Sequence, residues 1–128
     1  MKYLLDTHTY LWYRSSPRIL PGSILLLLTD TTHEMLISIA TPWELAIKTG
    51  IGKLNAAGLL VDFESREIAS GFVLAGITAS QAIRSGLLPL HHKDPFDRLL
   101  AAQALDLRIP VISRDPVFDL YGVKRIWA

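Results

Sequence analysis

Residues 94–104, Asp94-Pro95-Phe96-Asp97-Arg98-Leu99-Leu100-Ala101-Ala102-Gln103-Ala104, open a helix by residue type alone. Asp94 belongs to the types that cap helix N-termini. Pro95 suits the first helical position, where its missing N–H would have no partner. Phe96, Leu99, Leu100, Ala104 and Leu107 then recur at three- and four-residue steps, the apolar stripe of one helical face. Pro110 to Ser113 follows as a short apolar run that reads as a buried strand. Beyond it, Asp115-Pro116 begins one more helical turn and Lys124 to Trp127 reads as a terminal edge strand.

Working back from residue 94, Thr78 to Ser85 is a short helix closed by Gly86, and Phe72 to Ile77 is a strand weakened by Gly76. Leu59 to Ser70 reads as a helix with charges along one side. Thr41-Pro42-Trp43-Glu44 opens another, with Trp43, Ala46 and Ile47 as its expected inward face and Gly50 and Gly52 as its stop. Met35 to Ile39 is a second buried strand, and Pro21 opens a Leu-rich segment that runs to Thr29. Lys2 to Asp6 is the first strand, followed by a helix over Thr7 to Arg14. Strands alternating with helices predict an α/β fold with a parallel sheet covered on both faces, in one domain spanning residues 1–128. Right-handed crossovers bring every strand-to-helix junction to one edge of such a sheet, where ligands bind.

Composition narrows the chemistry. Half of the 128 residues are hydrophobic and a fifth are charged, a balance that folds rather than stays disordered. Thirteen Lys and Arg against twelve Asp and Glu leave a formal charge of +1, which argues against a general nucleic-acid coat and leaves room for a local basic patch. The absence of cysteine removes disulfide scaffolds, thiolate zinc sites, iron–sulfur clusters and cysteine nucleophiles. The longest strictly apolar run, Ile24 to Leu28, is far short of the ~20 residues that span a bilayer. The first strand meets Asp6 before a signal-peptide core forms, so the expected setting is soluble and cytoplasmic.

Four acids fall at the junctions: Asp6 after the first strand, Glu44 in the first turn after the second, Asp97 in the first turn after Pro95, and Asp115 after the fourth strand. Carboxylates converging in one crevice repel one another and need a cation. Without cysteine or a paired-histidine spacing, that cation is a hard, oxygen-loving Mg²⁺ or Mn²⁺. Each acid also has a structural alternative. Helix N-termini favour acids through their dipole and free N–H groups. Thr41 and Glu44 have capping-box spacing, and Asp6, Asp94 and Asp115 can each cap the turn that follows. Spacing alone leaves the two readings level.

Four segments tip the balance: Leu4-Leu5-Asp6-Thr7-His8, Trp43-Glu44, residues 94–104, and Ser113-Arg114-Asp115-Pro116-Val117-Phe118. In this order they resemble the PIN domain family, and within it the VapC-type toxins of bacterial toxin–antitoxin pairs. The resemblance implies a three-layer α/β/α fold around a central parallel sheet of about five strands. It also implies a Mg²⁺- or Mn²⁺-dependent ribonuclease, usually dimeric and held inactive by a cognate antitoxin. By position the family's acids fall on Asp6, Glu44, Asp97 and Asp115. Asp97 rather than Asp94 has the family's offset to Ala101-Ala102, which leaves Asp94 as the cap. Ser113 stands where the family often has Thr. On this likeness Asp6, Asp97 and Asp115 hold one or two metal ions and Glu44 contributes directly or through water. RNA is then cut by metal-activated water, leaving 5′-phosphate and 3′-hydroxyl ends.

Lys48, Arg98 and Arg114 are candidate contacts to RNA phosphate, although Lys48 is also spaced to pair with Glu44 on its own helix. Thr7 and Ser113 are candidates to support the carboxylates from behind. His8, His91 and His92 have no ligand spacing and stay outside the expected site, since adjacent histidines in a strand face opposite ways. Trp12, Trp43 and Trp127 read as core or dimer-contact aromatics rather than RNA platforms. Two other functions compete: a catalytically silent PIN-like protein-binding module, and a metal-dependent phosphatase-type domain. Four intact acids oppose the first. The second usually needs an acid pair after the first strand, where Asp6-Thr7-His8 has one.

Overall fold

In the computed structural model, which describes residues 1–128, Lys2–Leu5 forms strand β1 and splits its side chains between two cores. Tyr3 and Leu5 join one apolar cluster and Leu4 the other, the two-residue alternation of a strand covered on both faces. The remaining strands are β2 (Glu34–Ser38), β3 (Val73–Ala75), β4 (Val111–Ile112) and β5 (Arg125–Ile126). All pair in parallel, in the order β3-β2-β1-β4-β5, so the expected five-stranded parallel sheet is present. Leu4 of β1 lies level with Leu36 of β2 and Val111 of β4.

Helices α1 (Thr7–Ser15), α2 (Gly22–Thr29), α3 (Ala40–Gly50), α4 (Ala57–Leu60) and α5 (Phe63–Ala69) occupy the first part of the chain. Tyr10, Ile24, Leu28, Leu45 and Phe63 from this group pack on the Tyr3, Leu5, Ile37 and Ile112 face of the sheet. Helices α6 (Ala79–Leu87), α7 (Pro95–Leu107) and α8 (Val117–Leu120) follow. Leu100, Ala101 and Ala104 of α7 and Phe118 of α8 cover the Leu4, Leu36 and Val111 face. The result is three layers, α/β/α.

The connection order places a break in the sheet's direction of growth between β1 and β4. Chain leaving β1 builds outward through β2 and β3, then returns to start β4 on β1's other side. At such a switch point the loops after adjacent strands diverge and open a crevice. Asp6 stands at the carboxyl end of β1 and Ser113 at that of β4, on the two sides of this opening.

Three local expectations differ from what is observed. The helix expected over Leu59 to Ser70 is two pieces, interrupted at Asp62, whose backbone is left-handed at φ 51°. Helix α3 buries Ala40, Thr41, Glu44 and Leu45, while Trp43, Ala46 and Ile47 face outward. A buried polar contact with α1 sets that rotation, because the Thr7 hydroxyl donates to Glu44 Oε1 at 2.7 Å beside the Leu45 core anchor. Helix α7 is buried around most of its girth from Arg98 to Ala104, whereas Leu107 of the expected stripe is exposed. Its extra buried side belongs to polar Gln103, which donates to the carbonyl of Gly76 and to Gln81 Oε1 and accepts from Ser38 at the end of β2. These bonds fix the axis of α7 against the ends of two strands.

Candidate active site

Asp6 is both a helix cap and part of the acid centre. Its Oδ1 accepts the Thr9 N–H at 2.8 Å, which caps α1, and its Oδ2 accepts the Ser113 hydroxyl at 2.6 Å. Only 3% of the residue is exposed. Burial raises its carboxyl above the usual carboxylate range, and the hydrogen bonds from Ser113 and Thr9 oppose that rise. Ser113 also reaches forward, its oxygen accepting the Asp115 N–H at 3.0 Å. One hydroxyl at the end of β4 thereby joins the Asp6 carboxylate to the backbone of the Asp115 turn. Asp115 itself is exposed and turns Oδ1 to the Val117 N–H at 3.0 Å.

Glu44 does not close a capping box. Residue 39 occupies the cap position of α3 and makes no side-chain cap, while Glu44 points inward. Its Oε1 takes the Thr7 hydroxyl and its Oε2 takes the Lys48 ammonium at 2.5 Å. The hydrogen bond from Lys48 to Glu44 raises the lysine's pKa against partial burial, and the negative charges of Asp94 and Asp97 add to the rise. Lys48 is therefore an electrostatic partner of the cluster as well as the helical partner of Glu44.

Asp94 caps α7, its Oδ1 accepting from the N–H groups of Phe96 and Asp97. Asp97 is thus free of its own helix terminus and faces the other acids. Its pKa is pushed up to about 6, first by burial, then by the charges of Asp94 and Asp6 and, less strongly, by Glu44. A hydrogen bond with His92 works the other way. The structure accordingly gathers Asp6, Glu44 and Asp97, with Asp94 beside them, while Asp115 shares only a cleft wall with Asp6 and turns its carboxylate to the Val117 N–H.

His92 is the residue that sequence reasoning left out. His91 and His92 lie in the loop before α7 rather than in a strand, so the opposite-faces argument does not apply. His92 Nε2 sits 2.8 Å from Asp97 Oδ2, and ligand atoms of His92, Asp94 and Asp97 all lie within 4.8 Å of one another. The only sequence signal was proximity to Asp97, five residues away. Arg98 departs from expectation in the opposite direction. It is buried, and its guanidinium donates to the carbonyls of Gly86, Leu88, Pro89 and His92 and contacts the Tyr121 hydroxyl. With its donors spent inside the protein, it is not an RNA contact; it shapes the loop that carries His92.

Two clefts flank the centre. One, of about 310 Å³, is lined by Asp6, His8, Trp12, Arg114, Asp115 and Pro116. The other, of about 190 Å³, has Thr7, His8, Glu44, Lys48 and Lys53 in its walls. The larger cavity of about 370 Å³ near Asp30, His33 and Phe72 contains none of the four acids and lies at the opposite, amino-terminal edge of the sheet.

Acids gathered at the carboxyl edge of a parallel sheet, beside its switch point, define a three-layer α/β protein with a carboxylate centre. The PIN domain model matches residues 3–124, and the chain belongs to the PIN domain family. No curated protein matches the chain. Among solved structures it is similar to a chain of VapBC2 from Rickettsia felis bound to a DNA fragment from its promoter. That likeness has 17% identity, covers 100% of both chains and has a TM-score of 0.72. A chain of DNA-bound VapBC from Salmonella typhimurium aligns at 22% identity over 98% of this chain and 97% of that one, TM-score 0.68. VapC20 from Mycobacterium tuberculosis, described as a sarcin-ricin loop cleaving toxin, aligns at 12% identity over 98% and 99%, TM-score 0.70. At these identities the likeness is one of fold.

Proposed function

We propose that this PIN domain is a divalent-metal-dependent endoribonuclease and the toxin of a toxin–antitoxin pair. The observation that carries the reading is the convergence of Asp6, Glu44, Asp94 and Asp97 at the carboxyl edge of the sheet, where burial and the neighbouring charges push the Asp97 carboxyl up to about 6. Such crowding is unfavourable for folding unless a cation relieves it. The donors fit Mg²⁺ or Mn²⁺, being oxygens from acids with no thiolate near them. Asp6, Asp97 and Asp115 would hold the ion, with Glu44 acting directly or through water. When bound, such an ion supplies an activated water and neutralises charge on a reacting phosphoryl group.

The protein's own groups do the rest. Ser113 and the Thr9 N–H hold Asp6 from two sides, and His92 holds Asp97. Thr7 fixes one oxygen of Glu44 while Lys48 balances its charge. Lys48 is partly exposed and Arg114 exposed, which leaves both able to meet RNA phosphates. Hydrolysis in this frame leaves 5′-phosphate and 3′-hydroxyl ends.

Support for the toxin setting comes from the folds it resembles, which include a sarcin-ricin loop cleaving toxin and toxin–antitoxin complexes. A cognate antitoxin, a homodimer and a cytoplasmic site of action belong to the same proposal, and no helix is long and apolar enough to cross a membrane. In the test, purified protein is incubated with RNA and Mg²⁺ or Mn²⁺, and the cut ends are sequenced. Cleavage is expected, with 5′-phosphate termini, and Asp97→Asn is expected to lose activity on the order of a hundredfold or more while remaining folded. Cleavage that persists in excess chelator, or an Asp97→Asn variant of full activity, overturns the reading.

A further inference from the structure

Helix α7 carries Asp97, yet no strand leads into it: it follows α6 and a loop, so its place at the carboxyl edge is not inherited from the sheet. Its apolar face sets Leu100, Ala101 and Ala104 against Leu4, Leu36 and Val111, a contact that holds the helix down but is non-directional and, with two alanines, nearly smooth. A buried side chain supplies the direction. Gln103, with none of its surface exposed, donates to the Gly76 carbonyl at 3.2 Å and to Gln81 Oε1 at 3.3 Å, and its own Oε1 accepts the Ser38 hydroxyl at 2.5 Å. The Gly76 oxygen can only accept, which decides which end of the amide faces it. Ser38 is the last residue of β2. Having given its proton to Gln103, its oxygen accepts the Ala40 N–H at 3.0 Å, one of the free donors at the start of α3. The bonds thus run from α7 through a strand end into α3. Glu44 lies six residues beyond Ser38, and Asp97 six residues before Gln103. Next to those two acids the helices meet again, where the Trp43 ring stands edge-on to Phe96 at 5.0 Å.

We propose that Gln103 is a positioning residue of the acid centre: through Ser38 it ties the start of α3 to α7 and thereby sets how Glu44 stands to Asp97. The proposal rests on the nuclease reading above and adds to it a buried group that touches neither metal nor RNA. Hydrogen bonds hold only over a narrow range of distance and angle, whereas the apolar face by itself admits small slides and rotations of α7. Mg²⁺ demands near-ideal octahedral geometry, so a displacement of about 0.5 Å between two of its ligands is enough to weaken the site.

The test uses the full chain with 5-fluorotryptophan in place of its three tryptophans. Trp43, assigned by the signal lost in Trp43→Phe, reports the contact between α3 and α7. Trp12 and Trp127 pack with the Tyr3 and Leu5 face of the sheet, away from α7, and serve as controls. Gln103→Met keeps the length of the side chain and loses its polar atoms. In this variant, free of metal, the Trp43 fluorine signal is expected to shift while the other two stay. Mn²⁺ affinity, followed by electron paramagnetic resonance, should fall about tenfold, and kcat on RNA should fall with KM little changed. Ser38→Ala is the milder lesion, leaving the bonds of Gln103 to Gly76 and Gln81 in place. It should reproduce the Trp43 shift and most of the lost affinity, and Ser38→Thr, which keeps the hydroxyl, should restore both. The double variant should bind Mn²⁺ little more weakly than Gln103→Met alone, since both changes cut one path. If Gln103→Met does not fold, Ser38→Ala decides alone. Folded variants with the wild-type Trp43 signal and Mn²⁺ affinity overturn the proposal. So does movement of all three fluorine signals together, which marks general loosening, and so do losses that simply add in the double variant. Wild-type protein that neither binds Mn²⁺ nor cuts RNA sinks the nuclease reading instead, and the Trp43 signal still decides whether Gln103 governs the contact between α3 and α7.

Discussion

At Asp97 a neighbouring histidine is held between the backbone and the carboxylate. The Asp94 N–H lies 3.4 Å from His92 Nδ1 and His92 Nε2 lies 2.8 Å from Asp97 Oδ2, an arrangement that a proton on Nε2 satisfies at both nitrogens. The contact holds one oxygen of Asp97 in place. His92→Ala is expected to weaken Mn²⁺ binding by about tenfold, followed by electron paramagnetic resonance titration. His92→Gln should recover much of the loss, since its amide can donate to the same oxygen; equal affinities in wild type and His92→Ala would contradict the assignment. The four candidate acids stood out in the sequence by their places near strand ends and helix starts, and the structure brings Asp6, Glu44 and Asp97 close although α7 follows α6 rather than a strand. His92 did not stand out, because its role depends on how a loop curls back, and no spacing rule describes that.

Elements show the same division. The strands and the start of α7 follow from local pattern, whereas the buried sides of α3 and α7 do not. In α3 a contact between Thr7 and Glu44 turns the acid inward and leaves Trp43 on the surface, packed only edge-on against Phe96 at 5.0 Å. Polar burial of that sort inverts the hydrophobic stripe on which the expectation rested. Arg98 is the clearest case in α7. It holds the carbonyls of the Gly86–His92 segment in place of a regular element, and Tyr121 adds its hydroxyl to both the arginine and the His92 N–H. Arg98→Ala leaves those acceptors without a donor and is expected to cost about 3 kcal/mol in denaturant unfolding, with Mn²⁺ affinity falling alongside as His92 loses its support. A loss below about 0.5 kcal/mol would mean that the loop stands on its own.

The whole molecule responds to pH through the crowded acids. Asp97 holds its proton up to about 6 when folded, against 3.8 as its ordinary value. Between those values the folded state binds the extra proton, so the stability this group contributes is complete below about pH 4 and lost as pH rises through 6. Metal-free Asp97→Asn should therefore melt at a higher temperature than the wild type near neutral pH, and the two should converge below about pH 4. Mg²⁺ should close the neutral-pH gap by stabilising the wild type more, since bound cation offsets the repulsion that the substitution removes. Scanning calorimetry with and without Mg²⁺ at the two pH values measures both differences. A neutral-pH Asp97→Asn protein that melts below the metal-free wild type would show that the cluster is not under electrostatic load.

By itself the amino-acid order determined the strand and helix succession, the parallel sheet and the edge at which the acids meet, since these depend on periodicity, caps and the handedness of crossovers over short spans of chain. Only the tertiary structure decided that Asp6 caps a helix and lies beside Asp97 at once, that Ser113 joins Asp6 to the Asp115 backbone, and that Arg98 turns inward while His92 meets Asp97. Those outcomes depend on which hydrogen-bond partners from distant segments arrive at the same place, and a buried polar group settles on whichever of them satisfies it.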